Sequence, residues 1–304
     1  MIYASIDIGT NSVLLLVAEL SDNSINVLKE MESVPRLGKG VDKERNLQPD
    51  SIHRVIAVLK QYQTYLEEHF PSTAQHTVVT ATSAVRDASN REEFVKLVQK
   101  ETGWNIRLLS GDEEAQTTYR GALSVLNKKI TSENLVFDIG GGSTEIAYGL
   151  GSNLKRFISI DMGSVRFTER YINSYPPTVK SLGRMRQNVQ LLLSKSIKAN
   201  SDANLIGVAG TVTSIAAIAM GLKTYDATKL DGRTLGKSTI IHYMNLFASM
   251  MPEEIEAQYP TYLSGRGEVI MAGLIIMDEI MQFYNKSEIT VSTGGIRHGI
   301  LLTS

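Results

Sequence analysis

The stretch VFDIGGGSTEIAYGL, residues 136–150, joins two apolar runs through a loop of three glycines. The first run ends at Asp138, and the second begins at once and carries Glu145. Short apolar runs that are separated by glycines are typical of a β-hairpin. The sequence therefore predicts two strands with a connecting loop of nearly bare backbone and one carboxylate on each side of it.

The same pattern occurs earlier in the chain. The DIGxxS pattern of residues 7–12 matches that of residues 138–143 at an offset of 131, and each copy lies between a first and a second predicted strand. A repeat of this kind indicates duplicated architecture. We therefore predict two similar α/β domains, residues 1–126 and 127–304, each of which opens with a strand, a glycine loop and a second strand.

The composition is that of a globular protein. The 304 residues include 42% hydrophobic and 21% charged residues, and the net charge of −1 provides no general attraction to nucleic acid or anionic membrane. Cysteine is absent, which excludes disulfides and thiolate metal sites. The N-terminus does not resemble a signal peptide, and no apolar run approaches the ~20 residues of a membrane span. We expect a cytoplasmic protein without nucleic-acid or membrane partners, and a homodimer is a candidate assembly.

Glycine loops of this type suit phosphate. Glycine lets a ligand approach the backbone closely, and a tight turn directs several N–H groups to one side. A third loop, residues 210–213, lies between a predicted strand and a predicted helix, where N–H groups and threonine hydroxyls favour anions. The chain has neither GxxxxGK[ST] nor a strand–GxGxxG–helix pattern. The predicted phosphate sites therefore lie mainly on hairpin loops.

Six segments resemble the exopolyphosphatase/guanosine pentaphosphate phosphohydrolase family, within the superfamily of acetate and sugar kinases, Hsp70-type chaperones and actin. In chain order they are DIGTNSV, TATSAVRDASN, LLSGDEEA, DIGGGSTE, MGSVRFTERY and VSTGGIRHGIL. The resemblance implies two ribonuclease-H-like α/β domains that close a cleft between the paired glycine loops. The chain resembles the short form, without the C-terminal helical region of longer members, and its GVAGT replaces the more usual double glycine before threonine.

The resemblance also implies the phosphate-binding residues. They lie in the three loops and in the SAVRD segment: Gly9, Thr10, Asn11, Ser12, Arg86, Gly140, Gly141, Gly142, Ser143, Thr144, Gly210 and Thr211. The Arg86 guanidinium offers a bidentate fork for phosphate oxygens. The alternative for Arg86 is an ion pair with Asp87 or Glu92.

Three acids flank the hairpin loops, namely Asp7, Asp138 and Glu145. Carboxylates are hard ligands that suit Mg²⁺ or Mn²⁺ better than zinc, and the five histidines show no zinc-site spacing. We predict these acids as ligands of Mg²⁺ or Mn²⁺. The alternative for the two aspartates is a local turn-capping role, and the alternative for Glu145 is a solvated strand position.

Two adjacent glutamates begin the helix predicted after Leu109. Ser110 and Glu113 match the S-x-x-E capping box, which gives Glu113 a structural role. Glu114 lies outside that box, and helical spacing places it beside Thr118. From the residues alone, Glu114 could equally complement the helix dipole or act in catalysis. The resemblance implies that Glu114 is the catalytic residue, a general base or water-orienting group for attack on the terminal phosphorus.

The expected activity is metal-dependent release of the terminal phosphate from linear polyphosphate. Removal of the γ-phosphate of guanosine pentaphosphate is the alternative within the same class. The basic residues Lys223, Lys229, Arg233 and Lys237 favour polyphosphate if they line a path for a polyanion, although a solvated surface is the other interpretation. Arg166 and Arg297 follow glycine turns and are weaker candidates for phosphate binding. Outside this class, the alternatives are a small-molecule kinase and an actin-like, nucleotide-driven scaffold.

Overall fold

The computed structural model describes residues 1–21, 24–126 and 132–303. Its first sheet has five strands in the order β3-β2-β1-β4-β5. The strands are β1 (Ile2–Ile8), β2 (Val13–Ser21), β3 (Ser24–Ser33), β4 (Thr77–Ala81) and β5 (Ile106–Leu108). Strands β1, β2 and β3 pair antiparallel, whereas β4 and β5 extend the sheet in parallel from β1.

The second sheet repeats this plan with one added strand. Its order is β10-β11-β9-β6-β7-β8. The strands are β6 (Glu133–Ile139), β7 (Thr144–Leu150), β8 (Asn153–Ile160), β9 (Asn204–Val208), β10 (Thr234–Gly236) and β11 (Glu288–Val291). Strands β6, β7 and β8 are antiparallel, β9 and β11 continue in parallel, and β10 pairs antiparallel at the edge. The predicted pair of α/β units is confirmed.

The repeat extends to the register of the two opening hairpins. Ile8 pairs with Val13 in the first hairpin, and Ile139 pairs with Thr144 in the second. Each loop is closed by the same hydrogen bond, from the N–H of its first glycine to the carbonyl of its serine, at 2.9 and 3.0 Å. The loop geometry is therefore duplicated together with the sequence.

Helices cover both sheets. Those that precede the second sheet are α1 (Val41–Glu44), α2 (Pro49–His69), α3 (Ser83–Asp87), α4 (Arg91–Thr102) and α5 (Gly111–Ser124). Those that follow are α6 (Ser164–Tyr171), α7 (Val179–Leu193), α8 (Ala209–Ala219), α9 (Ala227–Leu230), α10 (Lys237–Phe247), α11 (Pro252–Gln258), α12 (Pro260–Leu263), α13 (Ile270–Phe283) and α14 (Ile296–Leu301). Across the ranges described, none of these helices is long and apolar enough to cross a membrane.

Each half has its own hydrophobic core. In the first half, strands β1, β2 and β4 pack on α2 and α4 through residues such as Ile6, Leu59 and Phe94. In the second half, the core surrounds α13, which is buried on all sides. Because these cores hold the sheets rigidly, the loops at the strand ends have well-defined positions.

Two helices pack on the sheet of the other half. Helix α5 packs on the second sheet through Tyr119 and Ala122, and α14 packs on the first sheet through Ile300 and Leu301. The two helices also pack on each other so closely that a Cβ at Gly121 would overlap the carbonyl of Gly295. This packing places the start of α5 between the halves.

The predicted domain boundary falls between residues 126 and 127. Residues 127–131 lie outside the described part of the chain, so the division into 1–126 and 127–304 remains a proposal. The packing of α5 and α14 shows that each half contributes one helix to the surface of the other.

Candidate active site

The two hairpin glycine loops and the first turn of α8 meet at one pocket of about 160 Å³. The predicted third loop, residues 210–213, is not a loop but belongs to that first turn. Most of the predicted site residues line it: Asp7, Gly9, Thr10, Asn11, Ser12, Glu114, Asp138, Gly140, Gly141, Ser143, Gly210 and Thr211. Four predicted residues do not line it: Arg86, Gly142, Thr144 and Glu145. The tertiary structure thus gathers residues from both sheets, and it gives four of the predicted residues different surroundings.

Two backbone hydrogen bonds to its carbonyl groups hold the first loop in place. The N–H of Gly38 donates to the carbonyl of Thr10 at 2.7 Å, and the N–H of Arg36 donates to that of Asn11 at 3.0 Å. In a trans peptide the carbonyl of one residue and the N–H of the next point in opposite directions. The N–H groups of Asn11 and Ser12 therefore face away from this support, on the side where both residues line the pocket.

The second loop is held in the same way by the start of α6. The N–H groups of Ser164 and Val165 donate to the carbonyls of Gly140 and Gly141, both at 2.9 Å. The next carbonyl, that of Gly142, accepts from Arg166 Nε at 2.6 Å. With three successive carbonyls turned toward α6, the following N–H groups face the opposite side of the loop. The two loops together can present a nest of N–H groups to an anion.

The two hairpin loops touch each other beside the pocket. Thr10 Oγ1 and Ser83 Oγ form a hydrogen bond of 3.0 Å. A Cβ at Gly141 would lie 2.7 Å from Thr10 Cβ, and a Cβ at Gly142 would overlap Ser83 Oγ. Gly142 therefore serves loop-to-loop packing rather than lining the pocket.

The aspartates that end β1 and β6 face the pocket from opposite sheets. Burial raises the pKa of Asp7 to about 6, against the opposing charge of Arg297 and a hydrogen bond from Thr80. Burial and the charges of Glu145 and Asp7 raise the pKa of Asp138 to about 8. Both aspartates are at least nine-tenths buried. Within the described residues, their hydrogen-bond donors are distant side chains, Thr80 for Asp7 and Thr118 for Asp138, and not the local backbone of a turn cap. A cation bound beside them would favour the ionised forms of both carboxyls.

Helix α5 separates the two glutamates as its sequence predicts. Ser110 Oγ accepts from the N–H of Glu113 at 3.2 Å, and the carboxylate of Glu113 accepts from the N–H of Ser110 at 2.9 Å, so the capping box is confirmed. Glu114 is buried and lines the pocket. One turn later, Thr118 lies against Asp138, to which it donates at 3.4 Å.

Arg86 holds Glu114 instead of lining the pocket. Its Nη1 donates to Glu114 Oε2 at 2.9 Å and to the carbonyl of Leu109 at 3.1 Å. Burial, followed by the charge of Glu145, raises the pKa of Glu114 well above its ordinary value, and Arg86 opposes that rise. The alternative for Arg86 was an ion pair with Asp87 or Glu92. Arg86 does form an ion pair, but its partner is Glu114.

Thr144 and Glu145 begin β7, directly after the second loop. Glu145 Oε1 accepts from Ser159 Oγ at 2.6 Å, and burial raises the pKa of Glu145 to about 7. Its other oxygen, Oε2, is buried and has no hydrogen-bond partner within the described ranges. Thr144 Oγ1 donates to the carbonyl of Met162, so this hydroxyl is already engaged.

Two arginines that complete the pocket were missed or given little weight by sequence reasoning. Arg266 Nη2 donates to Ser12 Oγ at 3.1 Å and pairs with Glu32, while its guanidinium packs on Gly210. Arg297 pairs with Glu30 at 3.2 Å. Arg266 belongs to no motif, although its position between Gly265 and Gly267 was a weak signal of a turn.

A larger cavity of about 670 Å³ adjoins the pocket, and Arg266 and Arg297 line both spaces. Its walls include Tyr225 and Tyr262 together with Glu30 and Glu32. The four basic residues from Lys223 to Lys237 line neither space. Two of them pair with acids, Lys229 with Asp226 at 3.1 Å and Lys237 with Asp278 at 3.8 Å.

The acids at this site fit a hard divalent ion that the substrate helps to bind. Among the described residues, no three His, Asp or Glu side chains are close enough to enclose a metal by themselves. Mg²⁺, however, is usually bound by one or two carboxylates together with substrate phosphates. Asp7 and Asp138 provide two buried carboxylates at the pocket, and Glu145 is the cross-strand neighbour of Asp138 in the pairing of β6 with β7.

Comparison with known proteins agrees with this geometry. Residues 16–304 match the Ppx/GppA phosphatase family. The chain is 34% identical to a bifunctional 3-dehydroquinate synthase/phosphatase of Fusobacterium nucleatum over 98% of its own length, and it spans only 46% of that protein. It is 30% identical to exopolyphosphatase 2 of Mycobacterium tuberculosis, with 99% of the chain and 97% of that protein covered. A crystal structure of the Aquifex aeolicus member of this family superposes on the chain with a TM-score of 0.82 at 31% sequence identity. The superposition covers 100% of this chain and 97% of the Aquifex aeolicus chain.

Proposed function

Because the chain belongs to the Ppx/GppA phosphatase family, we propose that it releases the terminal phosphate of linear polyphosphate as orthophosphate. The coarser activity, hydrolysis of a phosphoanhydride, is that of its family and of its exopolyphosphatase relatives. The choice of polyphosphate draws support from the exopolyphosphatase 2 relative, which matches over nearly its whole length.

One observation carries the proposal. Two duplicated loops, whose carbonyl groups are bound on the far side, line a single pocket, and a buried glutamate, Glu114, reaches the same pocket from α5. Phosphoryl transfer depends mainly on positioning and on electrostatic stabilisation of the phosphoryl oxygens. The loops supply the donors that hold the terminal phosphoryl group, and Glu114 supplies the base.

In this mechanism, Glu114 accepts a proton from the water that attacks the terminal phosphorus. Arg86 keeps the carboxylate in place through the bond from Nη1 to Oε2. Burial and the charge of Glu145 raise the pKa of Glu114 above its ordinary value, which makes its carboxylate a stronger base for this step. The bond between the terminal phosphorus and the bridging oxygen breaks, and the shortened chain leaves with the electron pair.

A divalent ion, Mg²⁺ or Mn²⁺, would be held by Asp7 and Asp138 together with substrate phosphates. Glu145, the third predicted ligand, accepts a hydrogen bond from Ser159 and does not line the pocket. When bound, the ion would supply positive charge for the phosphate oxygens. Burial raises the pKa of both Asp7 and Asp138, and a bound cation would favour their ionised forms.

Guanosine pentaphosphate is the second candidate substrate, and the cavity beside the pocket favours it. A long polyanion needs a cationic path, whereas this cavity has two tyrosines, two glutamates and two arginines that are already paired. Carboxylates and aromatic rings are suited to hydrogen-bond and stack a purine base. The basic segment from Lys223 to Lys237 does not supply the alternative path at either space.

Phosphate release from long polyphosphate, tripolyphosphate, guanosine pentaphosphate and ATP, measured side by side with and without a sugar or acetate acceptor, tests the proposal. We expect orthophosphate from polyphosphate without an acceptor, and loss of that release in Glu114→Gln. Turnover of guanosine pentaphosphate alone would establish the second candidate instead. Release that requires an acceptor would replace both candidates with a kinase.

A further inference from the structure

We propose that Arg166 is a positioning residue that aims the second phosphate loop by tying it across the cleft to the segments that hold the first loop. This inference rests on the proposed function, because the aimed N–H groups are those expected to bind the terminal phosphate. The relevant group, which we call the Arg166 cluster, consists of Arg166, Gly142, Asp42 and Asp87.

The first hydrogen bond of the cluster binds the second loop itself. Arg166 is nearly buried, with 6% of its side chain exposed, and its Nε donates to the carbonyl of Gly142 at 2.6 Å. This bond fixes the orientation of the peptide that joins Gly142 to Ser143. The N–H of Ser143 must then point away from Arg166, toward the side where Ser143 lines the pocket.

The other two hydrogen bonds of the cluster reach the first half of the chain. Arg166 Nη1 donates to Asp42 Oδ1 at 2.6 Å, and Nη2 donates to Asp87 Oδ2 at 2.5 Å. Asp42 lies on α1, directly after the segment whose Gly38 holds the carbonyl of Thr10. Asp87 ends α3, whose first residue is Ser83, the partner of Thr10. A single guanidinium therefore links both loop supports.

The charges of the cluster favour the closed arrangement. Burial favours the neutral acid, yet the hydrogen bonds from Arg170 and the charge of Arg166 hold the pKa of Asp42 below its ordinary value. Two largely buried carboxylates and one buried guanidinium would each lose their partners if the halves separated around this point. Groups of this kind are costly to leave unpaired away from water, so the cluster resists separation of the two loops.

Arg186 provides a matched control elsewhere in the second half. It also joins two buried carboxylates, Asp278 at 2.7 Å and Glu279 at 2.5 Å, and it contacts no glycine loop in the described residues. Removing Arg186 takes an arginine away from Asp278 and Glu279. Removing Arg166 takes one away from Asp87 and from Asp42, although Asp42 keeps its bonds to Arg170. A purely structural role predicts similar losses of activity for Arg166→Ala and Arg186→Ala.

The experiment compares kcat on tripolyphosphate for these two variants. We expect Arg166→Ala to lose about 100-fold in kcat, the scale of a misplacement near 1 Å, whereas Arg186→Ala loses thermal stability but keeps kcat within about threefold of wild type. Guanidinium ion at millimolar concentration should partly restore kcat in Arg166→Ala only, because it can fill the vacated space between Asp42, Asp87 and Gly142. Equal kcat losses in the two variants, or a wild-type kcat in Arg166→Ala, would overturn the inference.

A second readout does not require turnover. Hydrogen exchange at residues 141–143 should accelerate in Arg166→Ala and not in Arg186→Ala, and the dissociation constant for orthophosphate should rise about tenfold or more in Arg166→Ala only. If Arg166→Ala does not fold, Arg166→Lys replaces it, because an ammonium group cannot span all three acceptors. If the wild type releases no phosphate, the proposed function fails. The positioning role is tested separately: unchanged hydrogen exchange at residues 141–143 and unchanged orthophosphate binding in the Arg166 variants would refute it.

Discussion

Arg86 Nη1 donates a hydrogen bond of 2.9 Å to Glu114 Oε2, which joins α3 of the first half to the start of α5. We predicted that Arg86 binds phosphate and that Glu114 is the base, and the two side chains in fact form a pair. Because the pair is largely buried, it holds the glutamate in one orientation beside the pocket. The pair also explains how a carboxylate can stay close to two other buried acids.

The two adjacent glutamates provide the sharpest test of the base. Glu114→Gln should lose roughly 10²–10⁴ in kcat, the range expected for a general base, while substrate binding persists. Glu113→Gln should keep most activity, because glutamine also serves at the third position of a capping box. Steady-state kinetics on tripolyphosphate would measure both variants. Similar losses for the two, or the reverse order, would contradict the assignment.

Metal removal tests the role of the buried acids. We expect EDTA to abolish phosphate release and Mg²⁺ or Mn²⁺ to restore it, with zinc a poor substitute, because carboxylates and phosphates are hard oxygen ligands. Asp138→Asn should raise the metal concentration needed for half-maximal rate. Full activity in EDTA with metal-free substrate would remove the metal from the mechanism.

Close packing of the loops predicts that a second substitution restores part of the kcat lost in the first. Gly142→Ala should strongly reduce kcat, because the added Cβ would overlap Ser83 Oγ and force the loops apart. The same change should cost less in a Ser83→Gly background, where that oxygen is missing. A double-mutant cycle on kcat measures this coupling. Additive losses would show that the contact between Gly142 and Ser83 does not set the loop geometry.

Ala209 is a predicted source of strain beside the pocket. It has φ 68°, in the left-handed region that disfavours a side chain, at the position where the resembled family more usually has glycine. Ala209→Gly should raise the free energy of unfolding by about 1 kcal/mol. In the control, Ala57→Gly on the exposed face of α2 should lower it by about 1 kcal/mol. Urea titration measures both, and a loss in Ala209→Gly would refute the strain.

Acid should destabilise the protein through His298. Burial, together with the charge of Arg297, lowers the pKa of His298 from 6.5 to about 3. The unfolded chain therefore binds a proton between these values that the folded chain does not, so stability is lost as pH falls below about 6.5. Replacing His298 with leucine should flatten this dependence by up to about 1.4 kcal/mol per pH unit. Parallel pH profiles of unfolding for the two proteins would contradict this.

The strand and loop framework could be predicted because its causes are local. The repeated DIGxxS pattern predicted two hairpins, and both have the same register. The capping box at Ser110 and Glu113 was equally visible, because helix caps depend on residues three positions apart. Gly103 caps the end of α4 in the left-handed conformation, the usual role of glycine directly after a helix.

Contacts between distant parts of the chain were decided only by the tertiary structure. Arg266 meets Ser12 across 254 positions, and no local pattern marks that encounter. Glu145 and Thr144 belong to a phosphate motif by sequence, yet the pleat of β7 and the packing of β8 turn them toward Ser159 and Met162.

The amino-acid sequence by itself determined the duplicated α/β plan, the glycine loops and the difference between Glu113 and Glu114, because backbone freedom, strand periodicity and helix capping act over a few residues. Only the tertiary structure decided which loop groups face the pocket. That choice depends on what binds each carbonyl from behind, namely Gly38 and Arg36 for the first loop and α6 with Arg166 for the second. These partners are brought to the loops by the packing of whole sheets and helices, which no short segment encodes.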